Sequence, residues 1–492
     1  MFRIAVALVA TLLLVWSFVT LERAERGLSV RSERLGPTPM TIRSLPGAEP
    51  APVVVIGHGF AGSRQLMAPL AITLARAGYV TVSYDSLGHG RNAAPLSGDV
   101  TTADGATAAL VSELREVMAR ARAFRESNGR IALAGHSMAT DIIVRAARAE
   151  PDVAATIGIS LYSNEVTADE PRNLLIVVGA GEPGLKREAL RVTGLHAAPS
   201  VAEPGATYGD PASGTARRTV FAPGVEPVGV LYSATMLKEA QAWLDAAFAR
   251  DPTAPRPDLR GWPILGWIVG FAGLAWALAP RLPTARPPPD PARRFWRAAL
   301  LPAFLVPPLA WAFPAGFLPM PVADYLTVHF ALYGVITALL SGLRTRISVS
   351  ALLPAALLAS FALLLLYLPL DRYVAAFVPH GPRLPVMVAL TLGIMPWLWA
   401  DEALVRAPGA PRGAGVITKL MFLLSLGFAI ALDTERLFFL MLILPVLLLF
   451  FLLFGALARW AHAATGSALP AALAHSLLFA WALAVTFPIL GA

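Results

Sequence analysis

The sequence predicts an α/β domain, with a mostly parallel sheet covered on both faces, joined to an all-α bundle of membrane-spanning helices. Three observations predict it. Between residues 36 and 250, short solidly apolar runs alternate with helical runs, the pattern of a parallel sheet buried on both sides. Near the middle of that region an apolar run, a tight small-residue turn and a helical stretch follow one another, at residues 130–149. From residue 262 onward the chain is nearly all apolar windows about 20 residues long, enough to cross a bilayer.

Composition agrees. The chain has 492 residues, 56% hydrophobic and 15% charged, with a mean hydropathy of +0.61, too apolar for an ordinary soluble enzyme. The length suits one soluble domain plus a helical bundle. The formal net charge is +8, but the basic residues are scattered and many lie in short loops between apolar runs. Nucleic acid is therefore not the expected partner; a lipid bilayer is. There is no cysteine, which excludes disulfides, thiolate catalysis and Cys-ligated zinc. No metal and no cofactor is expected.

The elements follow in order. An apolar run from Ile4 to Thr20 stands after Arg3. No small-x-small cleavage site follows it, so residues 1–22 read as an uncleaved anchor, with a cleaved signal peptide as the alternative. In the domain at 36–250, strands are expected at 40–45, 53–57, 79–84, 130–134, 156–161, 174–179 and 219–222. Helices are expected at 63–77, 102–127 and 140–149, with a closing amphipathic helix at 233–249. A Pro/Arg linker occupies 251–261. Eight spans then read at 262–279, 298–318, 322–341, 349–370, 384–400, 415–432, 437–457 and 468–490. The anchor makes nine.

Arginine placement predicts the orientation. Arg281, Arg286, Arg293, Arg294 and Arg297 share one loop; Arg344 and Arg346, then Arg406 and Arg412, then Arg459 follow two spans apart. The intervening loops are poorer, with Arg372, Arg383 and Arg436. The Arg-rich side is expected to be cytoplasmic and the α/β domain to face the periplasm of a bacterial inner membrane. Arg3 agrees. Arg23, Arg26, Arg31 and Arg34 oppose it, partly offset by Glu22, Glu25 and Glu33.

The chemistry centres on Gly135-His136-Ser137-Met138-Ala139, directly after the 130–134 run. Strand, sharp turn with a central serine, then helix is the layout of a nucleophile elbow. Such a turn needs small neighbours because the serine backbone is strained. The usual pattern is G-x-S-x-G; here Ala139 ends it. The plainer reading is a serine in an ordinary turn.

Two further motifs stand at the right spacing. His58-Gly59-Phe60 follows one strand, and Asp85-Ser86-Leu87-Gly88-His89-Gly90-Arg91 follows the next. Together the three segments resemble the α/β-hydrolase family across residues 36–250. The resemblance implies Ser137 as nucleophile and the backbone N–H groups of Phe60 and Met138 as an oxyanion hole, with His58, Gly59, Gly135 and His136 supporting the motifs. It places the acid after the 174–179 strand, at Glu182, with Asp210 second and a surface carboxylate as the plain alternative.

The base departs from the family. Where histidine is expected, before the closing helix, stands Pro227, beside Glu226. Proline accepts no proton. The domain's histidines are His58, His89, His136 and His196; of these His196 is the catalytic candidate, and each also reads as structural. Two readings stay open. One is a membrane-tethered serine hydrolase of esterase, lipase or acyl-hydrolase type with a degenerate triad, using His196, Glu226 or water, on an acyl or lipid-like substrate. The other is a silent hydrolase fold acting as a binding or scaffold subunit beside a membrane-protein partner.

In the bundle, Asp401-Glu402-Ala403-Leu404-Val405-Arg406 and Thr465-Gly466-Ser467 with His475 resemble motifs of the CAAX-protease and bacteriocin-processing (CPBP) family, over residues 385–490. The family's F-x-x-x-H would end on Leu432, and its final asparagine on Phe479. Glu402 and His475 alone are too few for a metal or water-activating site. The plainer reading pairs Glu402 with Arg406 at a helix end and buries His475.

Overall fold

The computed structural model describes residues 1–98, 103–197, 201–286, 294–312, 316–343 and 348–491. The chain forms two compact units. One holds residues 16–265, 370–376 and 490–492; the other holds 1–15, 266–369 and 377–489.

The first unit is built on nine strands: β1 (Ser29–Leu35), β2 (Thr38–Ser44), β3 (Ala51–Gly57), β4 (Val80–Tyr84), β5 (Ser127–His136), β6 (Val153–Ile159), β7 (Leu174–Gly179), β8 (Thr207–Tyr208) and β9 (Arg217–Ala222). Their order is β1-β2-β4-β3-β5-β6-β7-β9-β8. The six strands from β4 to β9 run parallel, while β1, β2 and β8 pair antiparallel at the margins. The first helix of the chain is α1 (Phe2–Arg23). Five helices intervene in this unit: α2 (Ala68–Arg76), α3 (Ala108–Arg122), α4 (Met138–Ala149), α5 (Pro183–Ala197) and α6 (Ala234–Ala247).

Alternation along the strands explains the layers. On β3, Val54 and Ile56 join one core with residues of α2 and α6, while Val53 and Val55 join the other with residues of α3 and α4. Strand side chains point to opposite faces in turn, so a strand buried on both sides is apolar throughout. The sheet begins earlier than expected. β1 is polar and largely exposed, with three charged residues, so its sequence gave no strand signal. The expected helix at 102–127 begins on residues outside the description at 102, and α3 itself starts at Ala108.

The second unit is helical. It contains α7 (Gly261–Leu278, which begins in the first unit), α8 (Phe295–Leu300), α9 (Pro302–Trp311), α10 (Ala323–Ser341), α11 (Leu352–Ala362), α12 (Leu368–Tyr373, lying mostly in the first unit), α13 (Arg383–Arg406), α14 (Ala414–Leu432), α15 (Thr434–Leu437), α16 (Leu440–Thr465) and α17 (Leu469–Thr486). Eight helical segments of the described chain are long and apolar enough to cross a membrane, α1 among them. The expectation was nine. The difference falls at 298–318, of which 313–315 lie outside the described residues; the described helix Phe295–Trp311 breaks at Pro302, with Pro307 and Pro308 farther in.

Glycines set the closest crossing. A Cβ on Gly334 of α10 would lie 2.2 Å from the Trp397 nitrogen of α13, and one on Gly393 would lie 2.5 Å from the Thr327 oxygen. Backbones approach this closely only where side chains are absent. Arg383 then ties α13 to the end of α17, its Nη1 donating to the carbonyls of Ala484 at 2.8 Å and Phe487 at 2.7 Å. A cation suits a helix C-terminus, where unpaired carbonyls concentrate negative potential.

One buried carboxylate in the α/β unit predicts a pH response. Glu113 of α3 accepts from Thr38 (2.5 Å), Asn92 (2.8 Å) and the Leu87 N–H (2.9 Å), joining β2 to the loop after β4. Burial outweighs these donors and pushes its pKa up to about 7. The folded state then holds a proton that the unfolded chain releases near 4.5, so stability is highest below that pH and declines as pH rises through 7. In urea titrations of the purified chain, the α/β unit should lose about 2–3 kcal/mol between pH 5 and pH 8 through this group. The Glu113→Gln variant, which mimics the protonated acid, should lose that much less; equal slopes for the two proteins would refute the assignment.

Candidate active site

Ser137 stands between β5 and α4 with φ +51° and ψ −117°. The side chain is exposed, while its backbone is held from both sides. The Ser137 N–H donates to the Ile159 carbonyl of β6 at 2.9 Å, and its carbonyl accepts from the Thr140 N–H at 2.8 Å and hydroxyl at 2.6 Å. Met138 is the first residue of α4, so its N–H has no acceptor within the helix and points out at the turn.

The departure at Ala139 has a physical explanation. Its Cβ would lie 3.0 Å from a Cβ on Gly57, and its carbonyl oxygen 2.7 Å from one on Gly135. The extra methyl at the fifth position is accommodated because the strand ends beside it, Gly57 on β3 and Gly135 on β5, carry none. Gly59 meets the turn as closely. A Cβ there would lie 2.8 Å from His136 Nδ1 and 3.1 Å from Ser137 Cβ.

The other motifs hold this arrangement. His58 is fully buried; its Nε2 accepts from the Ser86 N–H at 3.1 Å, so Nδ1 carries the proton and donates to the Gly59 carbonyl at 2.8 Å. Burial lowers its pKa, which keeps it neutral. Asp85 is also fully buried. It accepts from the Arg64 N–H at 2.7 Å and the Arg91 N–H at 3.0 Å, and pairs with the Arg64 guanidinium. Gly90, at φ +52°, leaves room for that carboxylate, since a Cβ would lie 2.5 Å from Asp85 Cγ. Asp85 thus clamps the glycine-rich loop to the loop that carries Phe60. His89 lies between the rings of His58 and Phe60, at 5.3 and 5.6 Å.

Glu182 follows β7, two strands from β5 in the sheet. Its Oε2 accepts from the Gly179 N–H at 2.7 Å and the Ser160 hydroxyl at 2.9 Å. Its Oε1 is buried without a hydrogen-bond partner among the described residues. Burial raises the pKa, with the nearby Glu226 adding to the rise. A recess of about 760 Å³ opens here, lined by Tyr162, Glu182, Leu185, Arg187, Arg191 and Pro227 among others.

No histidine meets Glu182. His136 reaches toward the vacant position from below: its Nε2 donates to the Pro227 carbonyl at 2.9 Å. Its Nδ1 is therefore the unprotonated nitrogen, buried and unpartnered among the described residues, and burial lowers the pKa to about 4. Glu226 caps the following turn, accepting from the Val228 N–H at 2.9 Å and the Gly229 N–H at 3.0 Å. His196 is on the last turn of α5, about 20 Å along the helix axis from its start beside Glu182. Its Nδ1 donates to the Ala168 carbonyl at 3.1 Å, and its Nε2 side rests against Gly209. The candidate base His196 is thus not brought beside Glu182. The alternative acid Asp210 instead organises its own loop, accepting from the Ala212 and Ser213 N–H groups at 3.1 and 3.2 Å.

In the bundle, Glu402 pairs with Arg406 at 3.1 Å. His475 is buried with its ring edge-on to Phe454 at 5.0 Å. Leu432 is 43% exposed and Phe479 is fully buried, so neither supplies a ligand. Among the described residues, no three or more acidic or histidine side chains gather to hold a metal ion. Sequence reading missed a different polar node: His329, fully buried, lies between the Tyr325 hydroxyl and Ser425 hydroxyl, each at 3.1 Å.

Comparison with known proteins bears on the first unit. The family model described as serine aminopeptidase, S33, a hydrolase family, matches residues 48–168. That stretch contains the loop at Phe60, the glycine-rich loop and the elbow. The chain carries an α/β-hydrolase fold followed by an all-α region of apolar helices. Among solved structures it is similar to a bacterial membrane phospholipase A described as a virulence factor (17% identity, 49% of this chain and 93% of that one, TM-score 0.33). It is also similar to a dienelactone hydrolase from Anabaena variabilis (17%, 44% and 96%, TM-score 0.31). An epoxide hydrolase from Vigna radiata is 20% identical over 27% of this chain with a TM-score of 0.22, and the match spans only 39% of that enzyme. No curated protein matches the chain.

The contacts at the elbow predict unequal tolerance of small changes. Gly135→Ala drives a Cβ into the Ala139 carbonyl and should cost about 1–3 kcal/mol of stability. Gly184→Ala meets nothing within 4 Å and lies in the first turn of α5, so it should be neutral or slightly stabilising. Denaturant midpoints of the two variants check this; a Gly135→Ala protein as stable as Gly184→Ala would contradict the packing.

Proposed function

We propose that the α/β unit is a serine hydrolase acting on ester bonds of acyl or lipid-like substrates, with Ser137 as nucleophile and a degenerate triad. The observation that carries this reading is the elbow: an exposed serine at φ +51° with the free N–H end of α4 directly behind it. In the reaction, Ser137 Oγ attacks the acyl carbon and the carbonyl electrons move to its oxygen. The N–H groups of Met138 and Phe60 receive that charge, and donors fixed in advance lower the barrier without reorganising. Leu185 and Tyr162 offer apolar wall to an acyl chain, and Arg187 offers charge to an anionic head, while Arg191 is paired with Glu188 on the same wall.

The Ser137 proton is the difficulty. With Pro227 at the usual base position, and His136 Nδ1 buried without a partner among the described residues, the proton leaves to water. Positioned general bases contribute about 10²–10⁴-fold, so turnover should be slow by that factor. Glu182, with its open Oε1, is the acid that a base would lean on. The second reading, a silent binding or scaffold subunit, is favoured by the structural use of Glu226 and of the Pro227 carbonyl. The arginine-rich loops support a reading in which the unit faces the periplasm of a bacterial inner membrane; of these arginines Arg293, Arg344 and Arg346 lie outside the described residues.

A fluorophosphonate probe separates the two readings. The purified full chain should label, and Ser137→Ala should not; absent labelling, or labelling that survives Ser137→Ala, would favour the silent subunit. Pro227→His should raise hydrolysis of a short-chain p-nitrophenyl ester by about 10²-fold or more, without changing the labelled residue.

A further inference from the structure

A second recess, of about 560 Å³, opens in the helical unit between the end of α13, the start of α14 and the C-terminal half of α16. One end is cationic. Arg406 and Arg459 line it, with Lys419 farther along the slot at the level of Phe451, and Glu402 is the one lining carboxylate. Arg406 is held by Glu402 at 3.1 Å and leans toward the Gly455 carbonyl at 3.5 Å. Lys419 pairs with Asp401 behind the wall and lies over the Trp397 and Phe451 rings at 5.6 and 5.9 Å. Both carboxylates are buried, at 3% exposure for Asp401 and 4% for Glu402. Two of the three cations are thus neutralised by buried carboxylates, one of which, Glu402, lines the recess itself. Arg459 is exposed and makes no ion pair or hydrogen bond among the described residues.

The other end is apolar. From Gly413 to Leu423 along α14, and from Arg459 back to Leu448 along α16, the recess runs about 15 Å from its charged end. Val416, Leu420 and Leu452 form its outer rim at 64%, 59% and 75% exposure. Exposed leucines alone are ordinary on a helix facing lipid. Three cations lining such a slot are not, and one of them, Arg459, has no ion pair among the described residues to offset its charge.

We propose that this recess binds an anionic phospholipid, with the phosphate at Arg459 and Arg406 and an acyl chain along Leu448 and Leu452. The match is one of charge and shape. The site carries one unpaired positive charge, Arg459, beside the ion-paired Arg406, and an apolar slot leading away from them. It goes beyond the hydrolase reading and is independent of Ser137.

Native mass spectrometry of the full chain in detergent, offered equal phosphatidylglycerol and phosphatidylcholine, tests it. The wild type should retain phosphatidylglycerol preferentially. Arg459→Gln should bind it about fivefold more weakly, the worth of one cation beside an anionic headgroup. Leu448→Trp, which fills the deep end, should also reduce retention, while Arg436→Gln, outside the recess, should leave it unchanged. Excess inorganic phosphate should not displace the lipid. Equal retention of the two lipids, no effect of Arg459→Gln, or full displacement by phosphate would overturn the proposal, the last by assigning a phosphate site. Probe labelling at Ser137 is unaffected in every case, so this failure is distinct from failure of the hydrolase.

Discussion

A serine held at φ +51° is the constraint around which the α/β unit is arranged. A non-glycine residue pays for that conformation in local strain, and the strain persists only where the surroundings fix it. Here the fixing groups come from three parallel strands. β5 delivers the serine, β6 accepts its N–H through Ile159, and β3 ends in Gly57, which leaves space for Ala139. None of these positions acts alone. Adding a methyl at Gly57 or Gly135 closes the space in which α4 starts, and moving α4 moves the N–H of Met138. The register between β3 and β5, which sets Gly57 opposite Gly135, therefore determines the geometry of the site.

The next shell is held by ionised and hydrogen-bonded groups rather than by apolar packing. Asp85 binds the loop containing Arg64 to the loop containing Arg91, and His58 ties the turn before Phe60 to Ser86. Both residues belong to motifs that read as chemistry in the sequence. In the structure both are fully buried with their polar atoms already engaged, which is the condition for stability and not for proton transfer. Their work is to keep the Phe60 loop beside the elbow.

The sheet from β3 to β9 and the three motifs were legible because buried parallel strands are apolar throughout and each motif follows one directly. β1 was not, because an exposed marginal strand such as Ser29–Leu35 needs no apolar face. The break at Pro302 within the span read at 298–318 was not legible either, since hydropathy does not register a proline's missing N–H. Within the site, the vacancy at Pro227 was legible as a missing residue type. That His136 crosses to the Pro227 carbonyl was not, because it depends on how the loop after β9 folds over the end of β5. The same holds for His196: chain position put it between the acid and the last strand, but α5 carries it to the far end of the helix.

These contacts explain how proline can stand at position 227 while the fold remains intact. The elbow and the N–H groups behind it are backbone features, dictated by strand register and glycine placement, and they persist as long as the sheet does. The base is a side chain on a loop. What the fold uses at position 227 is the carbonyl, which accepts from His136, and a carbonyl is present whatever residue stands there. Glu226 similarly serves the loop by capping the turn at Gly229. Glu182 is the group left with a cost, a buried carboxyl with one oxygen unpaired and its pKa raised. An unpaired buried acceptor typically costs about 1–3 kcal/mol. Chemistry and stability thus separate at one loop position, and Glu182 is where they remain coupled.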